Sequence, residues 1–466
     1  MINNNMFRKF FLFTVLVFLC FTESFADFNK AQIPDSAEIR RGIIQSWLTA
    51  DLNVLRGKNP ELYENDIGII FQVRIEEGLE NASVIVAPQS FMDVDFVKEG
   101  KTETVKMAVY PSGSPGSWVL TREKSSGKPL KIQWYFNANS EIYIQFRPEG
   151  NRTYADLVVF GNFAARSVLV GVPFNRIYTS SFEDIQNWTL STIPWKKVNV
   201  VPGQYHEILQ MIYVIREKLP FIDYGEDLCY NENGVLYSIQ KNEPFKNANE
   251  KSERLTLSGT GFLKWIVDGI VEPYTGKGTV ISDLTVPTVQ YDYLSKKGVL
   301  SQKINLSFTL DWTRNLAAKA LSCRAGRDFT FENGGVDVNI NPFYGRIVFK
   351  DGTEKIDTVI PYVKDTGYKI ENLKGLLYVL TATEPGWFYL CAIKEEQKIQ
   401  IENISSKDNV FANSAVFFPY FDDSGKFACS VFEMDREISL DEFIERYEKS
   451  FVHLERVKAS DYFMPR

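Results

Sequence analysis

Histidine is the scarcest of the catalytically useful residues in this sequence of 466 amino acids, which contains only His206 and His453. A cysteine or serine nucleophile usually needs a histidine base close to it, and a zinc site commonly uses several histidines or cysteines at short spacing. Neither histidine has another histidine or a cysteine within a few residues of it in the sequence. No Walker loop, G-x-S-x-G or H-E-x-x-H motif occurs in a usable context. The sequence therefore predicts no metal site, no cofactor and few ways to build a conventional hydrolase.

Cysteine is also sparse. Apart from Cys20, which precedes the predicted mature chain, the sequence contains Cys229, Cys323, Cys391 and Cys429, and no two of them form a C-x-x-C pair. Four cysteines allow three disulfide pairings, and this wide spacing selects none of them. A chain of this length can build a core without cross-links, so buried free thiols are equally compatible with the sequence.

Positive charge is not in excess. The 52 Lys and Arg residues face 59 Asp and Glu residues, which gives a formal net charge of −7, and no basic cluster occurs. Proteins that bind nucleic acids usually carry a basic patch or stripe. Nucleic acid is therefore not an expected partner.

Long apolar runs are absent after the N-terminus, and the N-terminal run is short. Arg8 and Lys9 precede apolar residues 10–21, and Ser24-Phe25-Ala26 resembles a small-x-small cleavage site. This pattern predicts a signal peptide over residues 1–26. The run is shorter than the roughly 20 residues that span a bilayer. We expect a protein exported to the periplasm or the extracellular space, with no transmembrane helix after cleavage.

The first half of the mature chain divides into two predicted segments. Residues 27–65 are predicted to be mainly helical, with Asp35 and Glu38 at capping-box spacing. Residues 66–200 consist of short alternating apolar runs separated by Gly, Pro and Asn turns, which predicts an antiparallel β-sandwich domain.

The second half is predicted to be a mixed domain. Residues 201–254 read as a helical connector and a polar loop, and residues 255–466 as an α+β domain with a C-terminal helix. Ser439 followed by Glu442 predicts the cap of that helix, on which we expect an exposed His453. The predicted fold class is multidomain, β-rich plus α+β.

The most informative stretch runs from Leu255 to Pro273. A turn of small residues, Ser258-Gly259-Thr260-Gly261, leads into a helix that is apolar nearly all round, which predicts that the fold buries it. Pro273 is expected to stop the helix. Free N–H groups at a helix start can hold an anion or lower the pKa of a thiol, so the start is the chemically interesting end.

This turn resembles the NlpC-type papain-fold cell-wall peptidases, in which Asp-Cys-Ser-Gly-Phe runs into a buried helix. Gly259 stands where the nucleophilic cysteine would be, and Thr260 where the serine would be. The strand beginning Glu384-Pro385-Gly386-Trp387 is similar to the family strand that carries the catalytic histidine, with Trp387 at that position. An indole donates one hydrogen bond but does not relay a proton.

The resemblance implies a degenerate papain-like domain over the C-terminal half, with vestigial positions at Gly259 and Trp387. Its vacated groove would be lined by Ser258, Gly259, Thr260 and Trp387. An ordinary buried helix and strand in an unrelated α+β domain fit the same residues.

Three functions stay open at this point. The first is an exported, non-catalytic binding protein of the cell envelope, with peptidoglycan, a peptide or another envelope protein as partner. The second is a cell-wall hydrolase with atypical catalytic residues, for which His206 and Cys229 are the best pair, in the histidine-first order of circularly permuted relatives. The third is a structural or adhesive surface protein.

Overall fold

The computed structural model describes residues 33–98, 101–245, 254–348, 354–358, 362–401 and 404–466. The predicted leader lies outside these residues. Within them, strands and helices are mixed, with a large antiparallel sheet in the N-terminal half and helices packed on a second sheet in the C-terminal half. The predicted fold class, multidomain and β-rich plus α+β, is confirmed.

The N-terminal half consists of short helical segments followed by ten strands. The helical segments are α1 (Ala37–Gly42), a π-helical turn (Ile44–Leu48) and α2 (Leu52–Arg56). The strands are β1 (Glu61–Glu64), β2 (Ile70–Glu77), β3 (Asn81–Pro88), β4 (Ser90–Lys98), β5 (Lys101–Val109), β6 (Trp118–Glu123), β7 (Pro129–Tyr135), β8 (Ile142–Glu149), β9 (Arg152–Val159) and β10 (Asn162–Leu169). Eight of these strands form one continuous antiparallel sheet in the order β1-β2-β3-β6-β7-β8-β9-β10, and β4 and β5 pair with each other as a separate ribbon.

Arg40 on α1 holds the helical segments to this sheet. Its side chain is completely buried, and it donates hydrogen bonds to the backbone carbonyls of Ile177, Tyr178 and Ser180 at 3.3, 2.8 and 2.7 Å. Its guanidinium also lies 5.1 Å and 4.9 Å from the ring centroids of Trp118 and Trp134. Carbonyls and aromatic faces therefore replace the water that a buried cation loses.

We predict that Arg40→Ala lowers the free energy of unfolding by about 3–5 kcal/mol, because it removes three hydrogen bonds to backbone carbonyls together with two cation–π contacts. Equilibrium denaturation in urea measures this change. The neighbouring exposed arginine provides the control, since Arg41→Ala should change the free energy by about 0.5 kcal/mol or less. Equal effects of the two substitutions would contradict this role of Arg40.

The connecting region contains helices α3 (Phe182–Thr189) and α4 (His206–Lys218), with 3₁₀ turns at Phe174–Tyr178, Trp195–Lys197 and Leu219–Phe221. Short strands follow: β11 (Ile222–Tyr224), β12 (Leu228–Tyr230), β13 (Leu236–Ser238), β14 (Glu243–Pro244) and β15 (Leu255–Leu257). β12, β13 and β14 form a small antiparallel sheet, and β11 pairs in parallel with β15. β15 ends at Leu257, directly before the helix that begins at Gly259.

The C-terminal half packs helices on a six-stranded antiparallel sheet. Its helices are α5 (Gly259–Thr275), α6 (Ile281–Leu284), α7 (Lys296–Ser301), α8 (Phe308–Ala325), α9 (Phe331–Gly334), α10 (Leu373–Thr383) and α11 (Leu440–Arg446), with a 3₁₀ turn at Ile370–Asn372. Its strands are β16 (Tyr344–Val348), β17 (Glu354–Thr358), β18 (Tyr368–Lys369), β19 (Trp387–Ile401), β20 (Ile404–Phe421), β21 (Phe427–Glu433), β22 (Arg436–Ser439) and β23 (Phe451–Lys458). The described strands of the second sheet run in the order β18-β23-β19-β20-β21-β22.

The two halves share one sheet and a hydrophobic core. β16 pairs with β10 through Phe163 and Tyr344, so β16 and β17 extend the N-terminal sheet although they follow α5 in the chain. Asn137 donates a 2.7 Å hydrogen bond to the hydroxyl of Tyr378 on α10. None of the described helices is both long and apolar enough to cross a membrane.

Two local expectations are wrong. Helix α5 continues past Pro273 to Thr275 and ends at Gly276, whose φ of 75° provides a left-handed cap. Pro273 has no N–H to donate to the carbonyl of Gly269, and that carbonyl instead accepts a 2.9 Å hydrogen bond from the backbone N–H of Met464. The C-terminal helix α11 is capped by Ser439 as predicted, but it ends at Arg446, and His453 lies fully buried on strand β23.

Candidate binding site

The start of α5 is where the sequence places a vacated catalytic position. Ser258 is the N-cap: its hydroxyl accepts a hydrogen bond from the backbone N–H of Gly261 at 3.1 Å and lies 3.2 Å from the hydroxyl of Thr260. A Cβ atom at Gly259 would lie 3.0 Å from Oγ of Ser414 on β20 and 3.6 Å from Cγ of Met434. The residue that faces Gly259 from the sheet is therefore Ser414.

Trp387 lies near the other end of the helix. It is the first residue of β19 and lines a cavity together with Ile270 and Tyr274. Ile270 is eleven residues beyond Gly259, which corresponds to about 16 Å along a helix. Ser414 is paired with Ala392, five residues along β19 from Trp387, which gives a similar separation along the strand. The structure does not bring Gly259 and Trp387 together.

His206 and Cys229 are separated in the same way. Cys229 on β12 is fully buried against the start of α5, where its Cβ lies 3.2 Å from the Cβ position of Gly261. His206 is exposed at the first position of α4, and the next residue, Glu207, approaches Gly386 beside Trp387. The two side chains thus lie toward opposite ends of α5.

Cys229 is also a poor nucleophile. Burial raises the pKa of its thiol to about 12, and the nearby Lys264 only partly offsets this effect. A thiol with so high a pKa remains neutral at physiological pH, whereas catalysis needs the thiolate. Burial likewise raises the pKa values of Cys323, Cys391 and Cys429, and all four cysteines are free thiols.

A cavity of about 380 Å³ lies at the Trp387 end of α5, and we refer to it as the Trp387 cavity. Its walls come from the last turns of α5 and α8 and from the adjoining ends of β19 and β23. They are formed mainly by small or apolar side chains, including those of Ile270, Ala317, Ala320 and Val457. A largely apolar cavity of this size is the usual form of a site for a small ligand.

The lining of the Trp387 cavity includes three basic residues, Arg324, Arg456 and Lys458, and no acidic residue. Arg456 is turned toward Glu384, whose carboxylate lies 3.6 Å from its Nε. Arg324 is exposed and donates to the carbonyl of Ala459 at 3.2 Å, and Lys458 donates to the carbonyl of Pro385 at 2.8 Å. Burial lowers the pKa of Lys458; Glu207 opposes this and Arg324 adds to it.

A network of buried charges lies farther along the contact between α8 and β23. Arg314 binds Asp337 through two hydrogen bonds, of 3.1 Å from Nε and 2.8 Å from Nη2, and forms a 2.9 Å ion pair with Asp365. His453 contacts a carboxylate oxygen of Glu455 through Nδ1 at 2.6 Å and the hydroxyl of Tyr362 through Nε2 at 2.8 Å. Both ring nitrogens of the buried histidine are therefore occupied.

The network already contains a cation, the guanidinium group of Arg314. Donor atoms of Asp337, His453 and Glu455 lie within 4.8 Å of one another, as they would around a metal ion. Arg314, however, already binds Asp337 and lies 3.4 Å from Nε2 of His453. Burial lowers the pKa of His453 to about 3, so the ring is neutral. We interpret the network as an ion-paired structural link between α8, β23 and the turn that carries Asp365.

Glu455 provides a test of this link. Complete burial raises its pKa well above the ordinary value of 4.5, and Asp337 raises it further while Arg314 opposes the change. The folded state therefore keeps a proton that the unfolded state loses above pH 4.5. Stability due to this proton is present below that pH and is lost as the pH rises toward the folded-state pKa.

We predict that Glu455→Gln becomes more stable relative to the wild type as the pH rises above about 4.5, by up to about 1.4 kcal/mol per pH unit. Urea denaturation of both proteins between pH 4 and pH 8 measures the difference. The exposed Glu448→Gln is the control and should show no such trend. A difference that stayed constant with pH would mean that Glu455 is ionised in the folded protein.

Sequence reasoning missed this network because His453 was assigned to a helix. The available signal was the alternation His453-Leu454-Glu455, which places both polar side chains on one face of a strand.

Comparison with known families covers only the first part of the chain. Residues 29–197 match a family model described as "Domain of unknown function (DUF8515)". The described part of the match contains α1, α2, β1–β10 and α3, and α5 and the Trp387 cavity lie outside it. No curated protein and no solved structure matches the chain.

Proposed function

We propose that this chain is an exported, non-catalytic binding protein of the cell envelope and that its ligand enters the Trp387 cavity. The leader sequence supports export. The observation that carries the proposal is a largely apolar cavity with basic residues in its lining, at the end of the buried helix opposite to Gly259.

The start of α5 supports the absence of papain-type catalysis. Gly259 offers no side chain, and Ser414 lies where a cysteine side chain would project. The buried Cys229 beside the helix start has its pKa raised to about 12, and His453 is held by Glu455 and Tyr362. The papain-like resemblance placed Trp387 opposite Gly259, and the structure places Ser414 there instead, so the proposal of a binding protein does not depend on that resemblance.

The first test combines hydrolysis with binding. The purified mature protein is incubated with peptidoglycan sacculi, and we expect no release of soluble fragments. The neutral fluorescent probe N-phenylnaphthylamine should bind with saturation, because the cavity offers an apolar environment.

Two variants locate the bound probe. Ala320→Leu fills the cavity from α8 and should remove most of the fluorescence increase, whereas the exposed Arg327→Gln should leave it unchanged. Circular dichroism and the thermal midpoint establish that each variant folds. Release of fragments, or probe binding that Ala320→Leu does not affect, would contradict the proposal.

A second function, hydrolysis by atypical residues, is favoured by one pair of side chains. Lys394 donates a 2.7 Å hydrogen bond to the hydroxyl of Thr366 and a 3.1 Å hydrogen bond to the carbonyl of Asp365. Burial lowers the pKa of Lys394 to about 8, and Lys297 adds to this effect. An appreciable fraction of this amine is therefore neutral in mildly alkaline solution.

Neutral Lys394 could act as the base for Thr366. It would take the hydroxyl proton as the threonine oxygen bonds to the carbonyl carbon of an ester or amide. The ammonium would then return the proton to the leaving group, and water would release the acyl group from threonine with the same base.

A fluorophosphonate probe distinguishes this second function from binding alone. If it operates, labelling occurs at Thr366, increases with pH around a midpoint near 8, and is lost in Thr366→Val and Lys394→Met. Lys398→Met, an exposed position on the same strand, is the control. Absence of labelling between pH 6 and pH 9, measured by mass spectrometry, would exclude the Thr366–Lys394 pair.

A further inference from the structure

The shape of the Trp387 cavity favours a flexible apolar chain. Ala317 and Ala320 present small side chains on the face of α8 that lines the cavity, opposite Ile270 of α5 and Val457 of β23. Next to the cavity, the edge of β23 is already paired, because the backbone N–H of Arg456 donates to the carbonyl of Val336 at 2.9 Å. A peptide added as a strand would find that edge occupied, whereas an acyl chain needs no backbone hydrogen bonds.

The charges favour an anionic head group. Within the described part of the chain, neither Arg324 nor Lys458 has a carboxylate within 4.0 Å, and both bond to backbone carbonyls instead. Burial lowers the pKa of Lys458, Glu207 opposes this effect and Arg324 adds to it, so an anion bound beside both cations would stabilise the charged form of Lys458. Arg324 is exposed, so this pair lies where the cavity meets solvent.

We propose that the Trp387 cavity binds a medium-chain fatty acid, with the acyl chain between α5 and α8 and the carboxylate held by Arg324 and Lys458. This inference rests on the proposed binding function and names its ligand class. Acyl chains are the apolar component of a lipid envelope, so such a ligand is compatible with an exported protein. Each methylene transferred from water contributes about 0.8 kcal/mol, which makes tail length a sensitive variable.

Isothermal titration calorimetry of the mature protein with three ligands tests the proposal below the concentrations at which they form micelles. Dodecanoate should bind at one site per chain. Dodecyltrimethylammonium, with the same tail and a cationic head, should bind at least tenfold more weakly, and acetate, with the head alone, should not bind measurably.

The variants separate the head from the tail. The double variant Arg324→Gln/Lys458→Gln should weaken dodecanoate at least tenfold while still binding N-phenylnaphthylamine. Arg327→Gln should change neither ligand. Ala320→Leu should weaken both, and because Arg324 is exposed, the charge variant remains informative even if the cavity-filling variant fails to fold.

The outcomes distinguish this inference from the function on which it rests. If N-phenylnaphthylamine binds in the cavity but dodecanoate does not, the binding function stands and the fatty-acid proposal is overturned. Equal affinity for dodecanoate and its cationic analogue, or no effect of the double variant, also overturns it. If neither ligand binds, both proposals fail.

Discussion

The burial of helix α5 on all sides is the constraint on which the rest of the C-terminal half depends. Every residue from Gly261 to Val271 is buried, including Lys264 and Asp268, which form an ion pair with each other. Asp268 also accepts hydrogen bonds from the backbone and side chain of Thr279 at 2.8 Å each. These additional hydrogen bonds help to compensate the carboxylate of the buried pair for the water it loses. Neighbouring elements must therefore close around the helix at both ends.

The two ends of the helix pack differently, and a second cavity, of about 440 Å³, borders the side of α5 that carries Gly261, Trp265 and Glu272. At the start, Gly261 lets the carbonyl of Leu228 approach so closely that a Cβ atom would overlap it, and Ser414 packs against Gly259. At the other end, the alanines of α8 leave the Trp387 cavity open between the helices and the sheet. The buried Arg314 network fixes α8 to β23 beside this cavity. The Arg314 network therefore joins α8 to the residues that pack on β23 without any contribution from the proposed ligand.

Local patterns in the sequence were sufficient for some of the individual elements. The all-round apolar residues of α5 predicted its burial, and Ser439 marked the start of α11, because both signals depend on neighbours in the chain. Asp35 was predicted to be the N-cap of α1, but the N-cap is Ser36, and the carboxylate of Asp35 also accepts a hydrogen bond from the N–H of Phe182, which lies 147 residues away. A contact of that kind follows from tertiary packing and leaves no local pattern.

The site could not be predicted for the same reason. The position of Gly259 opposite Ser414 depends on how α5 lies across the long β19–β20 hairpin, which no short motif specifies. In the sequence, His453 and Glu455 fit the solvent-exposed face of a strand or a charged helix equally well. Only the fold brings Arg314, which lies far earlier in the chain, into contact with His453. The Trp387 cavity likewise arises where four separate elements, α5, α8, β19 and β23, meet.

The central claim is that the ligand lies at the end of α5 opposite to Gly259. A crystal structure of the protein with ω-bromododecanoate tests it directly, because anomalous scattering locates the bromine atom without prior assumptions. The account predicts an anomalous peak inside the Trp387 cavity, between Ala317 and Ile270. A peak beside Ser258, Gly259 and Thr260 would contradict it and would place the binding site in the groove that the sequence first indicated.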